Sequence, residues 1–145
     1  MQTFLPYPSF AESARVLDRA RLGKQRVEAL QVLRALTVPD YGWRHHPAAT
    51  MWRGHLPALT AYAVTMADEW IAQGHADTVR SQVLAFAPEV EGLPQQELEL
   101  PPWLGEAAFH LSHQSNLVRK DRVYYAPRFP GVPDDLPYVW PASGS

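Results

Sequence analysis

The stretch RLGKQRVEALQVLRAL, Arg21 to Leu36, decides the fold class. Leu22, Ala29, Leu30, Leu33 and Leu36 recur near a period of about 3.6 residues with Val27 beside them, whereas Lys24, Glu28 and Gln31 fall on the other face. That pattern is an amphipathic helix. Gly23 lowers local helix propensity, which predicts a start or a kink at that point. Upstream, SFAESARVLD places Glu12 three residues after Ser9, the capping-box spacing that opens a short helix. Downstream, TVPDYGWRHHPAAT has the proline, glycine and aspartate content of a loop.

A second helix is expected from about Ala48 to Gln73, with Leu59, Tyr62, Ala63, Met66 and Trp70 or Ile71 on one face. Pro57 either starts that helix or divides it in two. The prolines and acids of APEVEGLPQQELELPPW predict an irregular excursion, and Pro102 fits the first turn of a helix through WLGEAAFHLSHQSNLVRK. Residues 130–145 are rich in proline and aromatics and read as an extended tail packed over the body. No internal repeat and no run of alternating strands is present. The expected architecture is all-α, one compact helical domain over residues 1–145.

A chain of 145 residues buries about two-thirds of its unfolded surface. Its 46% hydrophobic and 19% charged content fit an ordinary globular protein. No apolar run approaches the roughly 20 residues needed to span a bilayer. MQTFLPYPSF lacks the basic start and apolar core of a secretion signal, and there is no cysteine for disulfides or thiolate chemistry. A cytoplasmic protein is the expectation. The net charge of −2 excludes a simple polycation, but the charges are segregated. Residues 68–106 carry eight acids and one arginine, whereas residues 1–67 carry eight bases and four acids. Such a distribution can present one positive face.

Four segments hold candidate chemistry. Arg19, Arg21, Lys24 and Arg26 crowd into eight residues and suit phosphate oxygens; on this segment alone a solvated basic face is the favoured reading. Lys24, one of only two lysines, is also an amine nucleophile if burial or neighbouring cations lower its pKa. GWRHHPAATMWRGH concentrates Arg44, Arg53, Trp43, Trp52, His45, His46 and His55, a mixture of proton carriers and planar groups that stack on bases. The alternative is a loop anchored by its tryptophans. His110 and His113 lie one helical turn apart and with His55 could bind a metal, yet without cysteine or a nearby carboxylate a buried polar contact or a surface pair fits better. Finally, LVRKDRVYY sets Arg119, Lys120 and Arg122 before Tyr124 and Tyr125, suiting either a DNA backbone or a helix end with inward-packed tyrosines.

In the order LDRARLGKQRVEAL, HPAATMWRGHLPAL and HLSHQSNLVRKDRVYY, residues 1 to about 130 resemble the pyrimidine dimer DNA glycosylase (endonuclease V-like) family, and most closely a bacterial branch beginning MQTFLPY. The resemblance implies a small, all-helical, cofactor-free repair enzyme that cuts the glycosidic bond at an ultraviolet photoproduct in double-stranded DNA. In the phage type the N-terminal amine attacks the sugar C1′ to give a Schiff base, a carboxylate on the first long helix assists, and strand cleavage follows by β-elimination. Arg26 before Val27, His55 after a glycine, and the pair Tyr124–Tyr125 match that type. Two positions depart. Gly23 stands where the family has its glutamate, leaving Glu28 and Asp18 as the nearest acids on the helix, and Gln2 is too large for efficient removal of Met1.

Two mechanisms follow from the resemblance. In one the Met1 α-amine is the nucleophile and Glu28 or His55 supplies acid–base help. In the other Lys24 is the nucleophile, with Arg21 and Arg26 lowering its pKa. Arg19, Arg21, Arg26, Arg44, Trp52, Arg53, Arg119, Lys120, Arg122, Tyr124 and Tyr125 are the expected DNA-binding residues. No metal, other cofactor or membrane partner is expected, and the chain is read as a monomer. The competing classes are a non-catalytic nucleic-acid-binding module on the same scaffold and a glycosidase for another base or nucleotide.

Overall fold

The Ser9 hydroxyl accepts the backbone N–H of Glu12 at 3.1 Å and caps helix α1, Phe10–Val16. This structure, a computed structural model, describes residues 1–141. Seven α-helices and no strand occur among them. Helix α2 runs over Arg19–Thr37, capped by the Asp18 carboxylate. Gly23 lies inside α2, which runs unbroken through it, so it does not start the helix. Packing explains the glycine: a β-carbon here would sit 2.9 Å from Cη2 of Trp70, so the glycine lets α2 and the helix bearing Trp70 approach closely.

The segment expected to be helical from Ala48 to Gln73 is two helices, one of the readings that Pro57 left open. Helix α3, Pro47–Thr50, and helix α4, Leu56–Ala72, are separated at Gly54, whose φ of 85° suits glycine. Pro57 occupies the first turn of α4, where its missing N–H has no helical partner to lose. The acidic excursion contains a short helix α5, Arg80–Leu84, and two 3₁₀ turns, Pro88–Val90 and Gln95–Glu97. Helix α6, Ala107–Lys120, begins later than Pro102 suggested, because Gly105 turns the chain with φ 100° just before it. Helix α7, Arg122–Tyr125, follows at once, its first turn capped by Asp121.

One hydrophobic core joins these elements, with Phe10, Leu22, Leu33, Trp52, Tyr62, Met66 and Phe109 among its buried members. Phe10 meets Tyr62 edge-on at 5.6 Å, and Trp52 meets Trp103 at 4.9 Å. The tail lies along α6. The Leu136 N–H donates to Ser115 Oγ at 3.0 Å, and the Val139 N–H donates to Ser112 Oγ at 3.1 Å. The last four residues of the expected tail, 142–145, lie outside the described residues. Among those described, no helix is long and apolar enough to cross a membrane.

Candidate active site

Residues 2–6 run through the interior without a neighbouring strand, so their backbone groups must find partners elsewhere. Side chains supply them. The N–H groups of Gln2, Phe4 and Leu5 donate to Glu28 Oε2 (3.2 Å), Gln25 Oε1 (3.0 Å) and His113 Nδ1 (2.9 Å). The carbonyls of Gln2, Phe4 and Pro6 accept from Gln25 Nε2 (2.7 Å), the Tyr62 hydroxyl (2.8 Å) and Gln114 Nε2 (2.8 Å). Trp52 Nε1 reaches Thr3 Oγ1 at 3.0 Å. Helices α2, α4 and α6 thus hold the segment on three sides.

His110 and His113 belong to this clamp. His110 Nδ1 lies 2.7 Å from the Leu5 carbonyl, so it carries the proton, and Nε2 accepts the Gly105 N–H at 2.9 Å. His113 has the other tautomer, because its Nδ1 accepts the Leu5 N–H. Burial pushes both below the ordinary histidine pKa, His113 to about 3 with a smaller contribution from His110. Among the described residues no three His, Asp or Glu side chains gather as a metal site.

The clamp delivers Met1 to a pocket of about 420 Å³. Arg21, Lys24 and Glu28 line it from α2, Lys120 from the end of α6, and Tyr138 from the tail. The spacing of the three α2 residues puts them on one helix face. Glu28, half-buried, accepts the N–H of Gln2 through one oxygen and pairs with Lys24 Nζ at 3.5 Å through the other. Lys24 extends into solvent with its side chain 75% exposed. Arg21 is paired with Asp18 at 3.1 Å. Burial alone would raise the Asp18 carboxyl, but hydrogen bonds from Tyr125 and Arg21 outweigh it and bring it below the ordinary carboxylate value. Three cationic side chains beside one anchored carboxylate suit a phosphodiester substrate with one proton-handling group at its centre.

The sequence-predicted residues divide sharply. Met1, Lys24, Glu28, Arg21 and Lys120 converge on the pocket. Arg26 does not: its side chain is 13% exposed, ion-paired with Asp77 and lying 4.5 Å over the Trp70 ring, so it ties α2 to the segment after α4 and has no free face for DNA. Trp52 and Tyr125 are fully buried, which removes both as stacking surfaces; Trp52 is core and the Tyr125 hydroxyl meets Asp18. His55 is buried at the start of α4, away from the pocket lining. Arg19 is exposed at the start of α2, next to Ala20 of the pocket lining but not itself part of that lining. Arg44 pairs with Asp40 at 2.9 Å, and Arg53 donates to the Arg44 carbonyl at 2.9 Å, stiffening the loop before α3. Arg119 bonds Asn116, Arg122 pairs with Asp134, and half-buried Tyr124 carries Arg128 on its ring at 3.6 Å.

Sequence reasoning missed Gln25 and Tyr138. Gln25 had a legible signal, a polar residue on the helix face shared by Leu22 and Ala29. Tyr138 had none, because its place in the pocket wall depends on how the tail lies along α6.

Gly23 and Glu28 can now be compared in place. Position 23 faces Trp70, whereas position 28 faces the pocket. A carboxylate is therefore present beside Met1, although not at the family's position. The family model described as pyrimidine dimer DNA glycosylase matches residues 1–82, more than half of the 145-residue chain and inclusive of Met1, Arg21, Lys24 and Glu28. No curated protein and no solved structure matches the chain.

Proposed function

The chain belongs to the pyrimidine dimer DNA glycosylase family, and from that premise we propose that it excises a damaged base from double-stranded DNA with the Met1 α-amine as nucleophile. The observation that carries this reading is Glu28, anchored to the Gln2 N–H in the pocket that Met1 lines. In the reaction the unprotonated amine bonds to C1′ as the glycosidic bond breaks, and the base leaves with the electron pair and takes up a proton. The new C1′–N group loses its proton to Glu28, and that proton passes to O4′ as the sugar ring opens to a Schiff base. Removal of a C2′ proton then expels the 3′ phosphate by β-elimination and nicks the strand.

Arg21, Lys24 and Lys120 hold phosphates flanking the lesion. Lys24 serves in this role and not as nucleophile, because an amine nucleophile depends on a buried or strongly cationic setting and Lys24 stands in solvent beside a carboxylate. Residues 1–145 act as one domain, as a cytoplasmic monomer needing no metal.

The test is incision of a duplex carrying one cyclobutane pyrimidine dimer. Glu28→Gln keeps a hydrogen-bond acceptor for Gln2 but cannot take a proton. Its rate is expected to fall about 100-fold or more while affinity for the damaged duplex stays within about threefold. A variant that incises at the wild-type rate would remove Glu28 from the chemistry.

A further inference from the structure

The tail crosses α6 in a fixed register. Asn116 Nδ2 donates to the Leu136 carbonyl at 3.0 Å, while Ser115 and Ser112 accept the N–H groups of Leu136 and Val139. All three α6 side chains are buried. Between those two anchored positions stands Tyr138. Its ring meets His113 edge-on at 5.6 Å and Phe4 at 6.5 Å, so the N-terminal clamp and the tail grip each other through it. The side chain so held is a wall of the Met1 pocket.

The phenol lies among the polar groups of that pocket. Burial is the main influence on it and holds it neutral, above the ordinary tyrosine value; Arg119, the Gln2 amide, Glu28 and Arg21 act on it more weakly. Gln2 is 6% exposed, and its Nε2 is sealed from solvent without a partner within hydrogen-bond distance. That amide is close enough to the phenol to ease its ionisation, which places the amide donor on the side of the phenolic oxygen. The hydroxyl proton has no acceptor among the described residues and is left for one that enters the pocket.

Three cations already serve phosphate oxygens there, and a neutral phenol adds little to them. A departing pyrimidine is a different acceptor. As the C1′–N bond breaks, its electron pair spreads onto the ring carbonyl beside that nitrogen, and a fixed donor gains strength as the charge develops. We propose that Tyr138 is a catalytic residue whose hydroxyl donates a hydrogen bond to that carbonyl and stabilises the leaving base. The phenol keeps its own proton, and the base takes up its proton from solvent. This role rests on the reading of the pocket as a glycosylase site. Tyr138 lies beyond residues 1–82, which the family model matches, so the role belongs to this chain's own tail.

The experiment compares two duplexes under single turnover. One carries a cyclobutane pyrimidine dimer, where a glycosidic bond must break, and the other a preformed abasic site, where no base is left to leave. Alkali treatment after the reaction reveals every broken glycosidic bond, whether or not the strand was nicked. Tyr138→Phe keeps the ring on His113 and Phe4 and removes only the donor. Its glycosidic cleavage is expected to fall about 100-fold, while affinity for the dimer duplex and strand cleavage at the abasic site stay within about threefold. Retained abasic-site cleavage also shows that the variant is folded. A variant that breaks the glycosidic bond at the wild-type rate, slows equally on both duplexes, or loses affinity in proportion would overturn the role of the phenol alone. A wild type that breaks no glycosidic bond in the dimer duplex would overturn the glycosylase reading itself, and the role of Tyr138 with it.

Discussion

At position 23 a β-carbon has no room. The Trp70 ring that blocks it is held by its own Nε1–H to the Ala76 carbonyl at 2.9 Å and by the Arg26 guanidinium over its face. Propensity alone says that Gly23→Ala stabilises a helix interior by up to about 1 kcal/mol. The anchored ring says the opposite, because forcing a methyl into a packed contact costs about 1–3 kcal/mol. We predict that Gly23→Ala lowers the thermal unfolding midpoint by several degrees; an unchanged or higher midpoint would show that Trp70 yields freely. The same residue shows what the sequence made legible and what it hid. The absence of the family glutamate was visible, and so was Glu28 as the nearest downstream acid. That the pocket faces position 28 was not visible, since it depends on where α4 meets α2 and where residues 2–6 run.

Helices were readable where their faces were consistent. The Ser9 cap and the apolar stripe of α2 were legible because capping and burial act within a turn or two of sequence. The division between α3 and α4 was legible through Pro57, which opens α4, but its turn at Gly54 was not, because nothing in the pattern singled out that glycine. The N-terminal segment was least legible of all. Its partners Gln25, Tyr62, His110 and His113 come from three helices, and none adjoins it in sequence. This clamp has a consequence for stability. His110 and His113 are held neutral, both with pKa values below the ordinary 6.5, so the unfolded chain binds protons that the folded chain refuses. Their contribution is complete above about pH 6.5 and is lost as pH falls toward about 3. Denaturant unfolding is therefore expected to show lower stability at pH 4.5 than at pH 7.5. His113→Gln, which can still accept the Leu5 N–H but does not titrate, should flatten that dependence. Equal pH slopes in the two proteins would contradict the clamp.

Over the whole molecule, a net charge of −2 conceals a division of labour. Acids of the middle segment are partly consumed by Arg80, which pairs with Asp68 and Glu91, each at 2.6 Å. Arg21 and Lys24 of α2 meanwhile meet Lys120 of α6 around Met1. The sequence exposed the basic clusters but gave Arg26 and Arg122 the same weight as these three. Only the fold distinguishes cations committed to Asp77 and Asp134 from those lining the pocket. The central claim is that this arrangement serves the Met1 amine, and borohydride trapping tests it most directly. Protein would be mixed with duplex DNA containing a pyrimidine dimer or an abasic site, reduced, and the adduct mapped by peptide mass. The account predicts a covalent adduct at the Met1 α-nitrogen on both damaged duplexes and none on undamaged DNA. An adduct mapped to Lys24, or no adduct on either damaged duplex, would contradict it.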